Sequence, residues 1–371
     1  MNIGFDAKRA FHNFRGLGNY SRDTIRVLSH YFPENNYYLF NPKIKKVDFL
    51  YGNNVNEVLP QSLLGKLAPS LWRTIGMSTD IERHNIDVFH GLSQELPIGL
   101  NRLKTKTVVT MHDAIFMRHP ELYSPIYRQI FIQKNKYACK KADHIIAISE
   151  QTKSDIIQYF GAKEDRVSVV YQGCNNVFRQ DVSEEQKLQI RQKYALPSQF
   201  VLYVGAIEKR KNAAIIIEAL HRKRCGVPIV MIGKPTEYIN EIKKLIVKYD
   251  MEEQVVFIHN AETLDLPAIY SLSSLFLYPS VFEGFGIPIL EALCTQTPVI
   301  TSAGSCFAEA GGAESIYVDP MDADGWGEAI VNVLSDVQLQ QKMKMAGQQH
   351  SLKFTDSHIA SNLMNVYQSI Y

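Results

Sequence analysis

Two carboxylates in one short segment give the strongest chemical signal of this sequence. Glu283 and Glu291 lie in Tyr278–Ala292, which reads Tyr-Pro-Ser-Val-Phe-Glu-Gly-Phe-Gly-Ile-Pro-Ile-Leu-Glu-Ala. This order predicts a strand, a glycine turn close to a ligand and then a helix, because Pro288 suits a first helical turn. A helix start favours a phosphate, and carboxylates accept hydrogen bonds from hydroxyls. We therefore predict a site for a phosphorylated, hydroxyl-rich ligand. The alternative is that Glu283 caps the helix and Glu291 is solvated.

A run of three cations is the second signal. Lys209, Arg210 and Lys211 follow a predicted strand and precede a predicted helix. Helix starts prefer anions, so we expect something negative to compensate these cations. A pyrophosphate would do so, held by charge-assisted hydrogen bonds from Arg210 and Lys211 in place of a metal ion. The alternative is a solvated basic turn.

A glycine-rich stretch, Gly16-Leu17-Gly18-Asn19-Tyr20, opens a predicted helix near the start of the chain. It resembles half of a dinucleotide-binding fingerprint, but the third glycine is missing and the stretch lies about ten residues from the preceding strand. A dehydrogenase is therefore disfavoured. We predict a flexible loop whose backbone amides, at Gly16 and Gly18, approach a phosphate.

A histidine, His112, lies at the carboxyl end of the predicted strand Thr107–Met111, where ligands bind in parallel sheets. A structural role is the alternative, since a lone histidine is often a core residue. The sequence has no His/Cys spacing typical of a metal site and no G-x-S-x-G elbow. It predicts neither a metalloenzyme nor a serine hydrolase.

The elements that must position these residues follow an α/β pattern. Short runs rich in Val, Ile, Phe and Tyr alternate with segments of helical period, as in parallel sheets covered by helices on both faces. The predicted strands are Ile3–Phe5, Tyr37–Phe40, Asp87–Phe89, Thr107–Met111, His144–Ile148, Val167–Val170, Phe200–Val204, Pro228–Ile232, Val255–Ile258, Leu275–Tyr278, Pro298–Thr301 and Ser315–Val318. We predict two doubly wound domains with a ligand cleft between them.

The domain boundary is predicted from a change in composition. The 371 residues suggest two domains, and the polar stretch Tyr171–Arg179 is followed by Ser183-Glu-Glu-Gln, a capping box that opens a new helix. The predicted domains are therefore 1–175 and 176–354. Residues 355–371 form a final helix whose apolar stripe must pack against other parts of the chain.

Composition excludes several classes of protein. Hydrophobic residues make up 46% and charged residues 21%, which is ordinary for a globular chain and not for a disordered or fibrous one. The N-terminus lacks the pattern of an export signal and no uncharged run is long enough to span a bilayer, so we expect a cytoplasmic protein. Five widely spaced cysteines predict neither zinc nor disulfides.

Taken together, these motifs resemble a known enzyme family. The E-x7-E spacing within Glu-Gly-Phe-Gly-x-Pro-x-Leu-Glu-Ala resembles the signature of retaining nucleotide-sugar glycosyltransferases of the GT-B architecture, most like glycosyltransferase family 4 (glycosyl transferases group 1). Other segments resemble the same family in the expected order along essentially the whole chain. They are Gly16–Tyr20, Asp87–His90, Thr110–Asp113, Ala147–Ser149, Gly205 with Arg210–Asn212, and Ala308–Gly311.

The resemblance implies roles for the E-x7-E segment. Glu291 would bind the ribose hydroxyls of the donor nucleotide. Glu283 would bind a hydroxyl of the transferred sugar, with help from backbone amides at Phe285 and Gly286. Gly284 belongs to the same donor-binding turn.

It implies further roles elsewhere. Arg210 and Lys211 would hold the diphosphate, Gly16 and Gly18 would approach the distal phosphate from the first domain, and His112 would lie at the sugar near the reacting centre. The implied catalytic residues are thus His112, Arg210, Lys211 and Glu283. The final helix would cross back onto the first domain.

Two positions depart from the family pattern. Ala206 stands where an arginine is often found, so Arg210 must supply that charge. Ala308 stands where the family usually has proline, which leaves Glu309 a weaker candidate for a donor contact.

The implied activity is transfer of a sugar, with retention at the anomeric carbon, from a nucleotide diphosphate to an acceptor hydroxyl without a metal or other cofactor. We take GDP-mannose as the donor. A saccharide or lipid-linked saccharide of cell-surface polysaccharide is the expected acceptor, and no nucleic acid is expected as a partner. The alternatives are a sugar-nucleotide epimerase or phosphorylase of the same architecture, or a non-catalytic sugar-nucleotide-binding module.

One segment of the first predicted domain suggests contact with a membrane. The segment Ser124–Lys141 mixes apolar residues with five cations and contains no acidic residue, so it could contact an anionic cytoplasmic membrane face. The alternative is that its apolar side belongs to the protein core.

Overall fold

The computed structural model describes residues 1–45, 47 and 52–371. The chain divides into two compact units, one formed by Met1–Gln172 with Thr355–Tyr371 and the other by Gly173–Phe354. The division lies three residues before the boundary predicted at 175, and the last helix belongs to the first unit.

The first unit is built on one seven-stranded sheet. Its strands are all parallel and lie in the order β3-β2-β1-β4-β5-β6-β7. They are β1 (Asn2–Asp6), β2 (Asn36–Phe40), β3 (Val55–Val58), β4 (Val88–Gly91), β5 (Lys106–Met111), β6 (His144–Ala147) and β7 (Val167–Val169). The sequence analysis missed β3 because it is an edge strand whose Asn56 and Glu57 are exposed, so it lacks an apolar run.

Helices connect these strands. They are α1 (Lys8–His12), α2 (Gly16–Tyr31), α3 (Leu63–Leu67), α4 (Pro69–Leu71), α5 (Met77–Arg83), α6 (Ile115–Arg118), α7 (Pro125–Lys141) and α8 (Glu150–Phe160). A single π-helical turn covers Trp72–Gly76, and short 3-10 helices cover Leu100–Arg102, Pro120–Leu122 and Glu164–Arg166. Serine side chains fix two helix starts, since Ser124 and Ser149 accept hydrogen bonds from amides in the first turns of α7 and α8.

The second unit has a six-stranded parallel sheet in the order β10-β9-β8-β11-β12-β13. Its strands are β8 (Val201–Val204), β9 (Ile229–Ile232), β10 (Val255–Ile258), β11 (Leu275–Tyr278), β12 (Val299–Ser302) and β13 (Ile316–Val318). Most side chains of β8, β9, β11 and β12 are buried, as expected for strands covered on both faces. Two doubly wound α/β sheets are therefore confirmed.

The helices of the second unit cover both faces of this sheet. They are α9 (Glu184–Lys193), α10 (Ala214–Arg222), α11 (Ile239–Lys248), α12 (Leu266–Leu272), α13 (Ile287–Cys294), α14 (Phe307–Gly311), α15 (Ala323–Ser335) and α16 (Val337–Ser351). Short 3-10 helices cover Asn176–Arg179, Lys209–Lys211, Glu252–Gln254 and Leu352–Phe354. The predicted capping box is confirmed, because Ser183 and Gln186 exchange both hydrogen bonds at the start of α9.

The last helix, α17 (Asp356–Ile370), packs on α2 within the first unit. Leu363, Val366 and Tyr367 of its apolar stripe are buried in the core of that unit. Arg26 of α2 forms an ion pair with Asp356 at 2.7 Å, which fixes the start of α17. The stripe recognised in the sequence thus packs within a core.

Candidate functional site

The switch point of the second sheet positions the two strongest sequence signals together. The strand order runs outward from β8 to β9 in one direction and from β11 to β12 in the other, so β8 and β11 flank the point where the order reverses. In open parallel sheets, ligands bind at the carboxyl ends of such strands. The cationic turn Lys209–Lys211 follows β8, and the glycine turn before α13 follows β11.

Glu283 is the centre of a compact polar cluster at this position. Its carboxylate oxygens lie 2.8 Å from Arg210 Nη1 and 2.8 Å from Lys211 Nζ. The hydroxyls of Tyr278 and Ser280 each donate a hydrogen bond to Glu283 at 3.0 Å. The structure therefore brings three of the predicted site residues, Arg210, Lys211 and Glu283, into direct contact.

This environment keeps Glu283 ionised. Burial alone would raise the pKa of its carboxyl, but Lys211 and Arg210 outweigh burial and lower the pKa from 4.5 to about 2. The same ion pair raises the pKa of Arg210 against the opposing effect of burial. At neutral pH the cluster therefore holds a fully charged carboxylate and two cations.

The charges of the cluster are balanced within the chain. Arg210 pairs with Glu208 at 2.8 Å as well as with Glu283, so two carboxylates face the cations of Arg210 and Lys211. The sequence analysis expected a ligand phosphate to compensate these cations. In the structure the compensating anions belong to the chain: Glu208 lies in the same turn, and Glu283 arrives from the turn after β11.

Glu291 has a different environment on α13. It is half-buried, and its Oε2 accepts a hydrogen bond of 3.0 Å from the hydroxyl of Tyr270 on α12. Burial raises the pKa of Glu291 to about 7, against the lowering effects of the Tyr270 hydroxyl and of the Lys211 charge. At neutral pH Glu283 is thus fully ionised, whereas Glu291 is only partly ionised.

The glycine turn is fixed by backbone geometry and by an anchored ring. Gly286 precedes α13 with φ of 113°, a conformation that side chains other than glycine rarely adopt. Phe285 is buried, its ring packs on Phe354 with centroids 5.6 Å apart, and its carbonyl accepts a hydrogen bond from Cys306 Sγ at 2.9 Å. Gly284 lies between Glu283 and this anchor. The turn therefore presents the start of α13 in one defined orientation.

The two glycines of the first unit differ in what they permit. Both lie in the first turn of α2. A Cβ on Gly18 would lie 1.7 Å from the carbonyl oxygen of Asn13, so packing alone requires glycine there. A Cβ on Gly16 would meet nothing within 4 Å. Of these two glycines, only Gly16 has open space where a side chain would be.

His112 is buried directly after β5. Its Nε2 donates a hydrogen bond to the carbonyl of Leu92 at 2.8 Å, and the ring of Tyr20 packs edge-on at 4.6 Å between centroids. Burial lowers the pKa of His112 to about 4, although the bond to Leu92 opposes this, so the ring is neutral at physiological pH.

Sequence reasoning missed the tyrosines that hold these groups. Tyr278 lies five residues before Glu283 at the end of β11, so its position at the strand end was a usable signal for a contact with Glu283. Tyr270 is buried on a different helix, and nothing in the sequence linked it to Glu291. Likewise, buried His90 bonds both Tyr367 and Thr110 at 2.7 Å, and nothing in the sequence linked His90 of β4 to Tyr367 of α17.

Two features are absent from the described part of the chain. Within residues 1–45, 47 and 52–371, no group of three His, Cys, Asp or Glu side chains is arranged to hold a metal ion. Among the same residues no helix combines the length and apolarity needed to cross a bilayer.

Comparison with known proteins gives the family. The model for "Glycosyl transferases group 1" matches residues 186–350 and that for "Glycosyltransferase Family 4" matches residues 41–176. The O-antigen chain mannosyltransferase B of Escherichia coli is 28% identical over 287 residues, which cover 76% of this chain and 74% of that protein. The serotype-specific mannosyltransferase WbdA of Escherichia coli is 30% identical over 281 residues, which cover 73% of this chain but 34% of WbdA. This chain therefore spans about a third of WbdA.

A solved structure shows the same fold. HepE of Anabaena, crystallised in complex with UDP-glucose, superposes with a TM-score of 0.75 at 19% identity, covering 99% of each chain. At this level of identity the likeness concerns the fold alone. The two family matches lie on the two units and contain Arg210, Lys211, Glu283 and Glu291 in one and His112 in the other. With its two doubly wound parallel sheets, this chain belongs to the GT-B glycosyltransferases of family 4, group 1.

Proposed function

We propose that this protein transfers a sugar from a nucleotide-diphosphate donor to an acceptor hydroxyl with retention at the anomeric carbon and without a metal ion. The observation that carries the proposal is the cluster of Arg210, Lys211 and Glu283 at the switch point, next to the start of α13. Cations and helix amides at such a position suit a diphosphate, and the two acidic side chains suit hydroxyls.

In this mechanism the leaving diphosphate is the group that the protein stabilises. Negative charge grows on the diphosphate as its bond to the sugar stretches. Arg210 and Lys211 then interact more strongly with the transition state than with the bound donor, which lowers the barrier. Because Lys211 Nζ already lies 2.8 Å from Glu283, incoming phosphates compete with that carboxylate for the same cation. On donor binding, Arg210 and Lys211 can thus give up some of their contacts with Glu283 and form contacts with the phosphates instead.

Glu283 is poorly suited to act as a nucleophile. It is bound by two cations and two hydroxyls, and its pKa of about 2 reflects a carboxylate that is strongly stabilised as an anion. We therefore propose that Glu283 orients a sugar hydroxyl and that the leaving phosphate takes the proton of the acceptor on the same face of the sugar. The two-carboxylate scheme of glycosidases does not apply here.

The remaining predicted residues take binding roles in the proposal. Glu291 accepts hydrogen bonds from ribose hydroxyls, Gly284 and the amides of the turn after it face the transferred sugar, and the amide of Gly16 approaches the distal phosphate. His112 acts as a neutral hydrogen-bonding group, since its pKa of about 4 does not suit a general acid at neutral pH.

We take mannose from GDP-mannose as the transferred group and a cell-surface saccharide as the acceptor. The support is the name of two relatives, which are O-antigen and serotype-specific mannosyltransferases. Several sugar nucleotides are compared in the experiment that tests this donor.

A thermal-shift screen against GDP-, UDP-, ADP- and dTDP-sugars tests donor binding. A donor present at about 100 times its Kd stabilises the folded state by about 2.7 kcal/mol. Lys211→Ala should remove most of this shift, because Lys211 contacts Glu283 in the cluster. Lys209→Ala is the matched control, since Lys209 is an exposed lysine of the same turn. Equal donor shifts in both variants would exclude the proposed diphosphate site.

Product analysis then separates the enzyme classes. Incubation with the bound donor and a saccharide acceptor should give a new glycoside with the anomeric configuration of the donor. An epimerised sugar nucleotide, a phosphorolysed saccharide, or binding without turnover would contradict transfer.

We also propose that the first unit contacts an anionic membrane surface. Four aliphatic side chains, Leu63, Leu67, Leu71 and Ile75, recur at every fourth residue and are 52% to 75% exposed. We call these four residues the exposed leucine row, to distinguish them from the buried apolar stripe of α17. Exposed apolar side chains in such a row are unusual for a surface that faces water.

Charge supports the choice of anionic lipid as the partner of this surface. Ile126, Tyr127 and Ile130 of α7 are exposed and not part of the core, and α7 carries five cations and no acidic residue. The π-helical turn that contains Ile75 and α7 border one cavity of about 220 Å³, lined by Arg73 and Thr74 of that turn and by Lys134 of α7. Apolar insertion with surrounding cations is the chemistry of a peripheral contact with anionic lipid.

A further inference from the structure

Two cysteines that are far apart in the sequence meet in the second unit. The sulfur atoms of Cys174 and Cys294 are 3.2 Å apart, although 120 residues separate them along the chain. Cys174 is buried in the segment before the 3-10 helix Asn176–Arg179. Cys294 is the last residue of α13 and is half-buried. Sequence spacing predicted neither a disulfide nor a metal site for these cysteines, so the contact depends on folding.

The surroundings of the pair favour reaction at Cys294. The hydrogen bond with Cys174, together with the nearby Arg179 charge, lowers the pKa of Cys294 against the effect of burial. The same hydrogen bond and burial raise the pKa of Cys174. Arg179 is held in place because its Nη2 donates to the carbonyls of Ser351 and Phe354 at 3.0 and 3.1 Å. A thiolate is the nucleophilic form of cysteine, and Cys294 is half-buried whereas Cys174 is buried, so Cys294 is the residue of the two that peroxide reaches first.

We propose that Cys174 and Cys294 are a modification site at which hydrogen peroxide forms a reversible disulfide. A disulfide bond is about 2.05 Å long, so the two sulfurs must approach by about 1.2 Å more. The Cys294 thiolate attacks one peroxide oxygen, the O–O bond breaks, and protonation of the departing hydroxide gives one water and a sulfenic acid on Cys294. The Cys174 sulfur then displaces the hydroxyl of that sulfenic acid as a second water. Two thiols are oxidised by two electrons, and one peroxide is reduced to two waters.

The disulfide would act on the candidate donor site through α13. Cys294 lies one helical turn after Glu291 on this short helix, and Glu291 bonds Tyr270. Tyr270 in turn packs edge-on against Phe178, four residues after Cys174, with ring centroids 5.8 Å apart. Movement of Cys294 towards Cys174 therefore strains both sides of the Glu291–Tyr270 contact. This consequence depends on the proposed function, because it assumes that Glu291 binds the donor.

Oxidation is thus expected to weaken donor binding in a reversible way. Displacing Glu291 removes a hydrogen bond to a charged group, which corresponds to about a 10- to 100-fold increase in the Kd of the donor. A cytoplasmic thiol pool would reduce the bond again when the peroxide is gone.

The experiment uses the full chain and two independent measurements. The reduced protein is treated with hydrogen peroxide, and disulfides are mapped by mass spectrometry of peptides prepared without reductant. The expected product is one crosslink between the peptides of Cys174 and Cys294 that dithiothreitol reverses. Crosslinks between other cysteines only, or overoxidation of Cys294 without a crosslink, would overturn the proposal. This measurement needs no donor, so it does not depend on the proposed function.

The second measurement is donor binding before and after oxidation, by thermal shift with the sugar nucleotide that binds the reduced protein. Cys294→Ser and Cys174→Ser should each retain binding and lose its sensitivity to peroxide. Cys225→Ser is the matched control, since Cys225 is also half-buried, and it should remain as sensitive as the natural chain. A mapped disulfide with unchanged donor binding would overturn the coupling to α13. A reduced chain that binds no sugar nucleotide would contradict the proposed function and leave the crosslink result standing.

Discussion

Replacing Glu291 by glutamine should stabilise this protein at alkaline pH while weakening its binding of the donor. The half-buried Glu291 carboxyl has an ordinary pKa of 4.5 that burial raises to about 7 in the folded chain. Between these two values the folded chain holds a proton that the unfolded chain has released. Stability therefore falls as the pH rises through this window, and the full cost is present above about pH 7.

The size of the effect follows from the two pKa values. Each pKa unit corresponds to about 1.36 kcal/mol, so a rise from 4.5 to about 7 corresponds to about 3 kcal/mol at alkaline pH. Glutamine resembles the protonated acid and can still accept the hydrogen bond of Tyr270. Glu291→Gln should thus raise the free energy of unfolding by up to about 3 kcal/mol at pH above 8, and by almost nothing at pH below 5.

Urea unfolding at several pH values measures this difference. Trp326 is fully buried in the second unit, so its fluorescence reports that unit when Trp72, the other tryptophan, is replaced by phenylalanine in both proteins. Equal stability of natural chain and variant at every pH would refute the reasoning, because it would mean that Glu291 is solvated and ionises normally.

Glu283→Gln is the control of opposite sign. Lys211 and Arg210 lower the pKa of Glu283 to about 2 despite its burial, so its stabilising effect is present above about pH 4.5 and is lost as the pH falls towards 2. This variant should be destabilised by about 3 kcal/mol at neutral pH, because two cations lose their partner. A stabilised Glu283→Gln would contradict the ion-pair account.

The remaining predictions concern catalysis, packing and the membrane. Lys211→Ala should lower kcat by on the order of 10²-fold in a transfer assay, since it removes a transition-state contact, and an unchanged kcat would exclude that role. Gly18→Ala should cost about 3 kcal/mol or more of unfolding free energy, because its Cβ would meet a backbone oxygen, whereas Gly16→Ala should change it by less than about 1 kcal/mol. Urea titration of both glycine variants checks this contrast. Leu67→Glu should reduce sedimentation with phosphatidylglycerol vesicles about tenfold or more, and Met345→Glu, an equally exposed apolar position on α16, should not.

Much of the fold could be predicted because its signals are local. Buried parallel strands need continuous apolar runs, so most of the strands were recognised from composition alone. The start of α9 was recognised because a capping box satisfies backbone groups within four residues. β3 escaped recognition since an edge strand such as Val55–Val58 has no need of a second apolar face.

The sequence allowed us to predict which residues belong to the candidate site, but not which side chains contact them. The turn that carries Glu283 and Glu291 has a sequence signature because a glycine with positive φ and a proline at a helix start leave few other choices. The Tyr270–Glu291 bond and the Cys174–Cys294 contact have no such signature. Each joins elements that only the packing of α12, α13 and the segment before α9 brings together.

The opposite charges within the cluster of Arg210, Lys211 and Glu283 bear on both sequence prediction and catalysis. Helix-start electrostatics indicated that Lys209–Lys211 needs an anion and led to the expectation of a ligand phosphate. The structure supplies Glu208 from the same turn and Glu283 from 72 residues away, and local reasoning could not locate the second of these. In the proposed mechanism, an internal anion keeps two half-buried cations from repelling each other before the donor arrives, and a diphosphate would then share those cations with it. If the proposed function holds, donor affinity is therefore lower than two free cations would provide. Stabilisation is greatest when the phosphate charge rises in the transition state, which is the differential binding that catalysis requires.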